Sequence, residues 1–240
     1  MSRESEKLHY LVTGARGGIG AAVVSELTAA GHRVHGWDLP EHDITDQPAI
    51  EKAMASLENE HGPLDALIHT AGTLLADSAL APDVAALRHS LEVNLLGTVN
   101  ICSATARRMI GRRNGSIVAI SSNAAATPRA GMAAYGASKA ATSSWLRTLG
   151  LECAPHGVRC NIVTPGSTNT PMLRGMWQEG RDESAKVIAG NPEQFRLGIP
   201  LGRVADPEDI ARACIFLSSS AARHITMHDL RVDGGATLDQ

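Results

Sequence analysis

Aromatic side chains are scarce: three tryptophans, two tyrosines and two phenylalanines in 240 residues. Proteins that hold single-stranded nucleic acid stack its bases on such rings, so a stacking platform is not expected. A surplus of basic charge is missing too. Lys plus Arg (22) nearly balances Asp plus Glu (25), leaving no overall positive field to hold a polyanion. Both deficits argue against nucleic acid as a partner. The four cysteines, Cys102, Cys153, Cys160 and Cys214, are scattered without a CxxC pair, which predicts buried free thiols in a reducing compartment and no metal. No run of about 18 apolar residues occurs, and the opening MSRESEKLHY lacks the apolar stretch of a signal peptide. The expectation is a soluble cytoplasmic protein with no membrane partner, residues 1–7 forming a flexible tail.

What is present is a chain that is 43% hydrophobic and long enough for one large α/β domain spanning residues 1–240. Strand-like and helix-like segments alternate. Strands are predicted over Leu8–Thr13, Arg33–Asp38, Leu64–Thr70, Ser116–Ser121, Val158–Thr164 and Asp229–Val232. Helical spacing covers Ile19–Ala30, about Val84–Arg112, about Ala133–Glu152 and Pro207–Ser218. Strands separated by helices of this length imply right-handed βαβ units and a Rossmann-type doubly wound parallel sheet with helices on both faces. Two stretches break the rhythm. Only Leu39–His42 separates Asp38 from Asp43, too little for a crossover helix, so one unit is abbreviated. Residues 171–200 are charged and glycine-interrupted, and Met172, Met176, Trp177 and Phe195 suit a lid that covers something.

TGARGGIG, Thr13–Gly20, lies where a strand ends and a helix begins. Gly14, Gly18 and Gly20 allow a tight turn and close approach to a pyrophosphate, with the helix N-terminus supplying free N–H groups. A purely structural turn is the plain alternative. Asp38 follows Gly20 by 18 residues, where a carboxylate binds both ribose hydroxyls of the adenosine half, favouring NAD over NADP. Arg16, inside the turn, argues the other way, since a cation there pairs with a 2′-phosphate; a solvated strand end is the plain reading of Asp38.

Tyr135 and Lys139 stand four apart at the start of a predicted helix and project from one face, and Ser122 precedes Tyr135 by 13 residues. With TGxxxGIG, Asn94 in LEVNLLG, Pro165-Gly166 and Val232-Asp233-Gly234-Gly235, this order resembles the short-chain dehydrogenase/reductase family over nearly the whole chain. Alone, Asn94 reads as a helix-kink cap, Ser122 as a strand end and Lys139 as a solvated helix face. Tyrosine titrates near pH 10. A cation about 4 Å away at an effective dielectric near 20 contributes about 4 kcal/mol, or roughly three pK units. Lys139 and a positive nicotinamide ring would therefore bring Tyr135 toward neutrality as general base. The resemblance further implies that Ser122 hydrogen-bonds the reacting oxygen, that Lys139 holds the nicotinamide ribose, and that Asn94 supports a water relay behind Lys139. It also implies cofactor contacts from Ile19, Asp43-Ile44, Ala71-Gly72, Thr168 and Thr170. Where the family carries NNAG, this chain has His69-Thr70-Ala71-Gly72, which removes an asparagine amide.

Four stretches, TPRAGMAAYGASKAA, GVRCNIVTPGSTNTPM, EQFRLGIPLGR and HITMHDLRVDGGATL, resemble one branch of that family. The branch implies oxidation of a ring alcohol on a small anionic cyclic substrate, a cyclohexadiene diol acid, by NAD, the ketone then tautomerising to a catechol. A carboxylate calls for a cation. Arg129, six residues before Tyr135, is the first candidate and Arg196 its rival. Met132 and Met172 would supply adaptable walls, with simple packing as their alternative. The same oxidation of an amino-substituted ring, and a catalytically silent dinucleotide sensor, remain open readings. The resemblance also implies a homotetramer.

Overall fold

The computed structural model describes residues 7–178 and 181–238, so the expected tail lies, but for Lys7, outside the described residues. Six parallel strands, β1 (His9–Thr13), β2 (Arg33–Trp37), β3 (Ala66–His69), β4 (Gly115–Ile120), β5 (Val158–Pro165) and β6 (Asp229–Val232), pair in the order β2-β1-β3-β4-β5-β6. The central strands are buried along almost their whole length because both faces of the sheet are covered. Alternate residues feed opposite cores. Leu11, Leu67 and Ile117 pack with Ile50, Met54, Ile101, Met109 and Leu146 on one face. Their neighbours Val12, Ile68 and Val118 pack with Val23, Leu27, Ile210 and Leu217 on the other.

The helices supplying those faces are α1 (Gly18–Ala29), α2 (Gln47–His61), α3 (Val84–Leu91), α4 (Thr98–Arg112) and α5 (Ala133–Cys153), then α6 (Pro171–Arg174), α7 (Ser184–Ala189) and α8 (Pro207–Ser218). The helix α2 is additional to the segments read from periodicity; Asp46 caps it by accepting from Ala49 N, and Gly62 ends it with φ 85°. The predicted helix over 84–112 is not continuous, because Glu92–Gly97 opens into a π-turn between α3 and α4. As expected, Leu39–His42 holds no helix; the chain passes directly into α2, which is itself the crossover from β2 to β3. Asn100 of α4 donates to the carbonyls of Ile44 and Thr45, fixing that short connection against the π-turn.

Strand order reverses at β1 and β3, so a crevice opens beyond their carboxyl ends, the position where open parallel sheets bind ligands. All four cysteines are buried and free. Among the described residues no helix is long and apolar enough to cross a membrane, and no group of three His, Cys, Asp or Glu could hold a metal.

Candidate active site

The turn after β1 is shaped by close backbone approach. Gly14 has φ +70°, and a Cβ on it would sit 2.6 Å from Ala71 N; one on Gly20 would sit 2.0 Å from the Gly14 carbonyl. Only hydrogen fits at either position. The first turn of α1 has no side-chain cap, so its N–H groups face the crevice unspent. A glycine cradle in front of an uncapped helix start fits a diphosphate. Gly14, Arg16, Gly18, Ile19 and Gly20 line this crevice with Asp38, Asp43, Ile44, Ala71 and Gly72.

Asp38 stands immediately after β2. Its carboxylate accepts from Arg16 N at 2.7 Å and Leu39 N at 2.8 Å, which aims the group beside the turn. The Arg16 guanidinium is engaged elsewhere: it donates to the Leu39 carbonyl at 2.6 Å and pairs with Glu41 at 3.0 Å. Asp43 bonds the backbone and hydroxyl of Thr45. Ile44 turns its side chain onto Gly97 of the π-turn.

The crevice is continuous with a second cavity, sharing Ile19, Gly72, Thr170 and Met172 as walls. Here Ser122, Tyr135 and Lys139 converge, with Pro165, Gly166, Thr168 and Thr170 behind them. Ser122 ends the segment after β4, where its Oγ accepts from Ala124 N. Tyr135 and Lys139 lie in the first two turns of α5, 8% and 4% exposed, and Lys139 Nζ is 6.0 Å from the Tyr135 ring centre. The ammonium donates to the Ile120 carbonyl at 3.1 Å. Burial lowers Lys139 from 10.5 to about 8. Tyr135 departs from the charge argument above. Burial raises its phenol, opposed by the Ser122 hydrogen bond. Desolvation thus works against the lowering expected from a nearby cation.

Asn94 sits fully buried in the π-turn. Its Nδ2 donates to Thr73 O and Ser138 Oγ, both at 2.9 Å, and its Oδ1 accepts from Thr73 N at 2.8 Å. A Cβ on Gly72 would be 3.0 Å from Asn94 Oδ1 and 3.3 Å from Lys139 Nζ, so the three groups adjoin. The Asn94 carbonyl accepts from Thr98 Oγ1 at 2.6 Å and faces Thr142 Oγ1 at 2.9 Å.

On the substrate side Arg129, Met132, Met172 and Arg196 all line the cavity that holds Tyr135. Arg196 is the more telling of the two arginines. Its Nη2 donates to Ser167 Oγ at 3.4 Å, and burial is the cause that lowers its pKa. Met176 joins the wall and Trp177 lines an adjoining chamber. Phe195 contradicts the lid reading: it is 96% exposed and covers nothing. The residue adopts φ 53° at the end of a short turn over Pro192–Gln194, which swings its ring outward while its neighbour Arg196 points in.

Two supports escape local sequence reading. The catalytic helix α5 has no cap from its own flank; Asp77, 57 positions away, accepts from Ala134 N at 3.0 Å and places a negative charge at the helix start. Asn123, beside Ser122, donates to Asp233 and Thr237, tying the VDGG segment to the site. Neither contact has a spacing that a linear pattern could reveal.

A family profile described as enoyl-(acyl carrier protein) reductase matches residues 38–237. The 2,3-dihydro-2,3-dihydroxybenzoate dehydrogenases of Bacillus subtilis (strain 168) and Escherichia coli (strain K12) are each 41% identical to this chain. They match over 95% of it and over 95% and 96% of their own lengths. A solved oxidoreductase of the short chain dehydrogenase/reductase family from Burkholderia thailandensis superposes with a TM-score of 0.82 at 32% identity, covering 97% of this chain and 93% of its own.

Proposed function

Because the chain belongs to the short-chain dehydrogenase/reductase family, whose members bind nicotinamide dinucleotides, we propose that it oxidises a ring alcohol of 2,3-dihydro-2,3-dihydroxybenzoate with NAD. The product would be 2,3-dihydroxybenzoate, a catechol acid for siderophore synthesis. The observation that carries the reading is the sharing of one cavity by the buried Ser122–Tyr135–Lys139 group and the guanidinium of Arg196. A ring alcohol and a carboxylate are then addressed from opposite walls. Bidentate pairing with a carboxylate gives Arg196 the anionic partner that Ser167 does not supply.

The turn Gly14–Gly20 would hold the diphosphate, Asp38 the adenosine ribose, and Lys139 the second ribose. An oxidised nicotinamide held there would supply the hydride acceptor and, before transfer, a positively charged ring. Ser122 orients the substrate hydroxyl toward Tyr135 Oη, which removes its proton. Burial favours the protonated phenol of Tyr135, and a positive ring held beside it would oppose that effect. Asp38 repels a 2′-phosphate, and the hold of Glu41 and Leu39 on Arg16 limits what that cation could offer one; both support NAD over NADP.

The test is reduction of NAD and of NADP by purified protein with 2,3-dihydro-2,3-dihydroxybenzoate and, in parallel, with the ring bearing an amine at carbon 2. The expected result is NAD-dependent formation of 2,3-dihydroxybenzoate. Preference for the amino ring would move the substrate, and absence of turnover with any cyclic diol would overturn the dehydrogenase reading.

A further inference from the structure

His69 ends β3 in the position where the resemblance leads one to expect asparagine, and it is buried between the phosphate turn and the π-turn. Its Nδ1 is 2.6 Å from Thr13 Oγ1, and its Nε2 is 2.9 Å from Thr98 Oγ1. Donor counting settles which nitrogen carries hydrogen. The Thr98 hydroxyl has one hydrogen and gives it to the Asn94 carbonyl at 2.6 Å. Toward His69 it can therefore only accept, so Nε2 must be the donor. The remaining nitrogen, Nδ1, is left as the acceptor of the Thr13 hydroxyl. A charged imidazolium would carry hydrogen on both nitrogens, and burial beside Lys139 holds His69 down to about 3, so that form is absent at working pH.

The chain continues beyond Asn94. A π-turn leaves over a carbonyl that an α-turn would satisfy, and here Thr98 donates to it while Thr142 Oγ1 lies 2.9 Å away. The single hydrogen of Thr142 is shared with the Ser138 carbonyl at 2.8 Å. The two hydroxyls occupy both approaches to the Asn94 oxygen. Thr13, at the phosphate turn, is thus linked through His69 and Thr98 to the Asn94 whose amide clamps Thr73 next to Lys139. Every polar atom of His69 is used and none reaches solvent.

We propose that His69, locked as its Nε2–H tautomer, is a positioning residue that fixes the π-turn, and with it Asn94 and the Lys139 pocket, against the phosphate turn. The activity part of the test rests on the dehydrogenase reading; the spectroscopic part does not. Long-range proton–nitrogen spectra of histidine-labelled protein should show His69 with hydrogen on Nε2 and a bare Nδ1, unchanged between about pH 5 and 8. A hydrogen on Nδ1, or titration in that range, overturns the assignment. In Thr98→Val the tautomer is no longer dictated, and kcat should fall about tenfold with cofactor Kd and KM within about twofold. Thr98→Ser should restore both signals, and His69→Asn should reproduce the fall in kcat. A folded Thr98→Val protein that loses only thermal stability, with kcat and the His69 spectrum intact, overturns the positioning role. If no substrate is turned over by the wild-type protein, the dehydrogenase reading falls while the spectrum still decides the tautomer.

Discussion

The two walls of the catalytic cavity are built differently. On one side, β4 and α5 hold Tyr135 and Lys139 nearly out of solvent, each anchored by neighbours whose own hydrogen bonds are complete. On the other, the described residues between 171 and 200 form two short helices and turns; Met172 is 43% exposed and Phe195 almost wholly so. The first wall performs chemistry that needs reacting atoms placed to a fraction of an ångström, and it is rigid because its polar groups are paired. The second, which on the proposed function would meet a small anionic ring, offers a few partly exposed side chains. Rigidity where the proton moves, and adaptability where the ring is chosen, are separable properties of one cavity.

The largest expected effect attacks the rigid wall. Tyr135→Phe should lower kcat by about 10²- to 10⁴-fold and leave NAD Kd, measured by titration calorimetry, within about twofold. Equal loss of binding would mean that the wall also carries the cofactor. Next comes the adaptable wall: Arg196→Ala should raise KM for the ring acid about ten- to a hundredfold, the worth of a charge-assisted pair, with little change for a neutral cyclic alcohol. A larger effect in Arg129→Ala would transfer the anchor to that residue.

The third prediction separates function from stability. Burial lowers Lys139 from 10.5 in the unfolded chain to about 8 in the folded one. Below about pH 8 it is charged in both states and its burial costs stability; between those values the unfolded chain binds more protons, so stability rises with pH. Lys139→Met should abolish turnover yet stabilise the fold at pH 7 by about 2–3 kcal/mol in urea unfolding, with the gain shrinking as pH climbs past 8. A destabilised variant would show that the Ile120 contact outweighs desolvation. The smallest effect belongs to Phe195→Ser: with a ring already in water, kcat and KM should stay within about twofold. A rise in KM would mean that the ring folds inward over bound substrate.

The same division governs what could be read from the linear chain. Strand positions, the glycine turn and the Tyr135–Lys139 pair are legible because each depends on short-range periodicity or spacing. The helix over Gln47–His61 carries ordinary end signals, Asp46, Pro48 and Gly62, and is left out only because its apolar face is narrow, Ile50, Met54 and Leu57. The π-turn at Glu92–Gly97 has no such mark, since it depends on Thr98, Thr142 and His69 arriving from three elements. The raised Tyr135 phenol is likewise invisible in sequence, where the nearby lysine is evident and the depth of burial is not. Phe195 misleads because an apolar residue in a loop suggests cover, while a left-handed backbone turns it away.

The shortened connection after β2 reaches beyond the cofactor crevice. It leaves β2 as one border of the sheet, hydrogen-bonded to β1 alone, where a row of open amides invites another chain to add itself. That border is five residues long, RVHGW, and bears Arg33 with its guanidinium reaching to the His61 carbonyl, His35 edge-on to His9 and tilted against His61, and a glycine. So brief a margin, opened by the charged Arg33, is a poor template for strand addition, which lets the fold do without an outer strand.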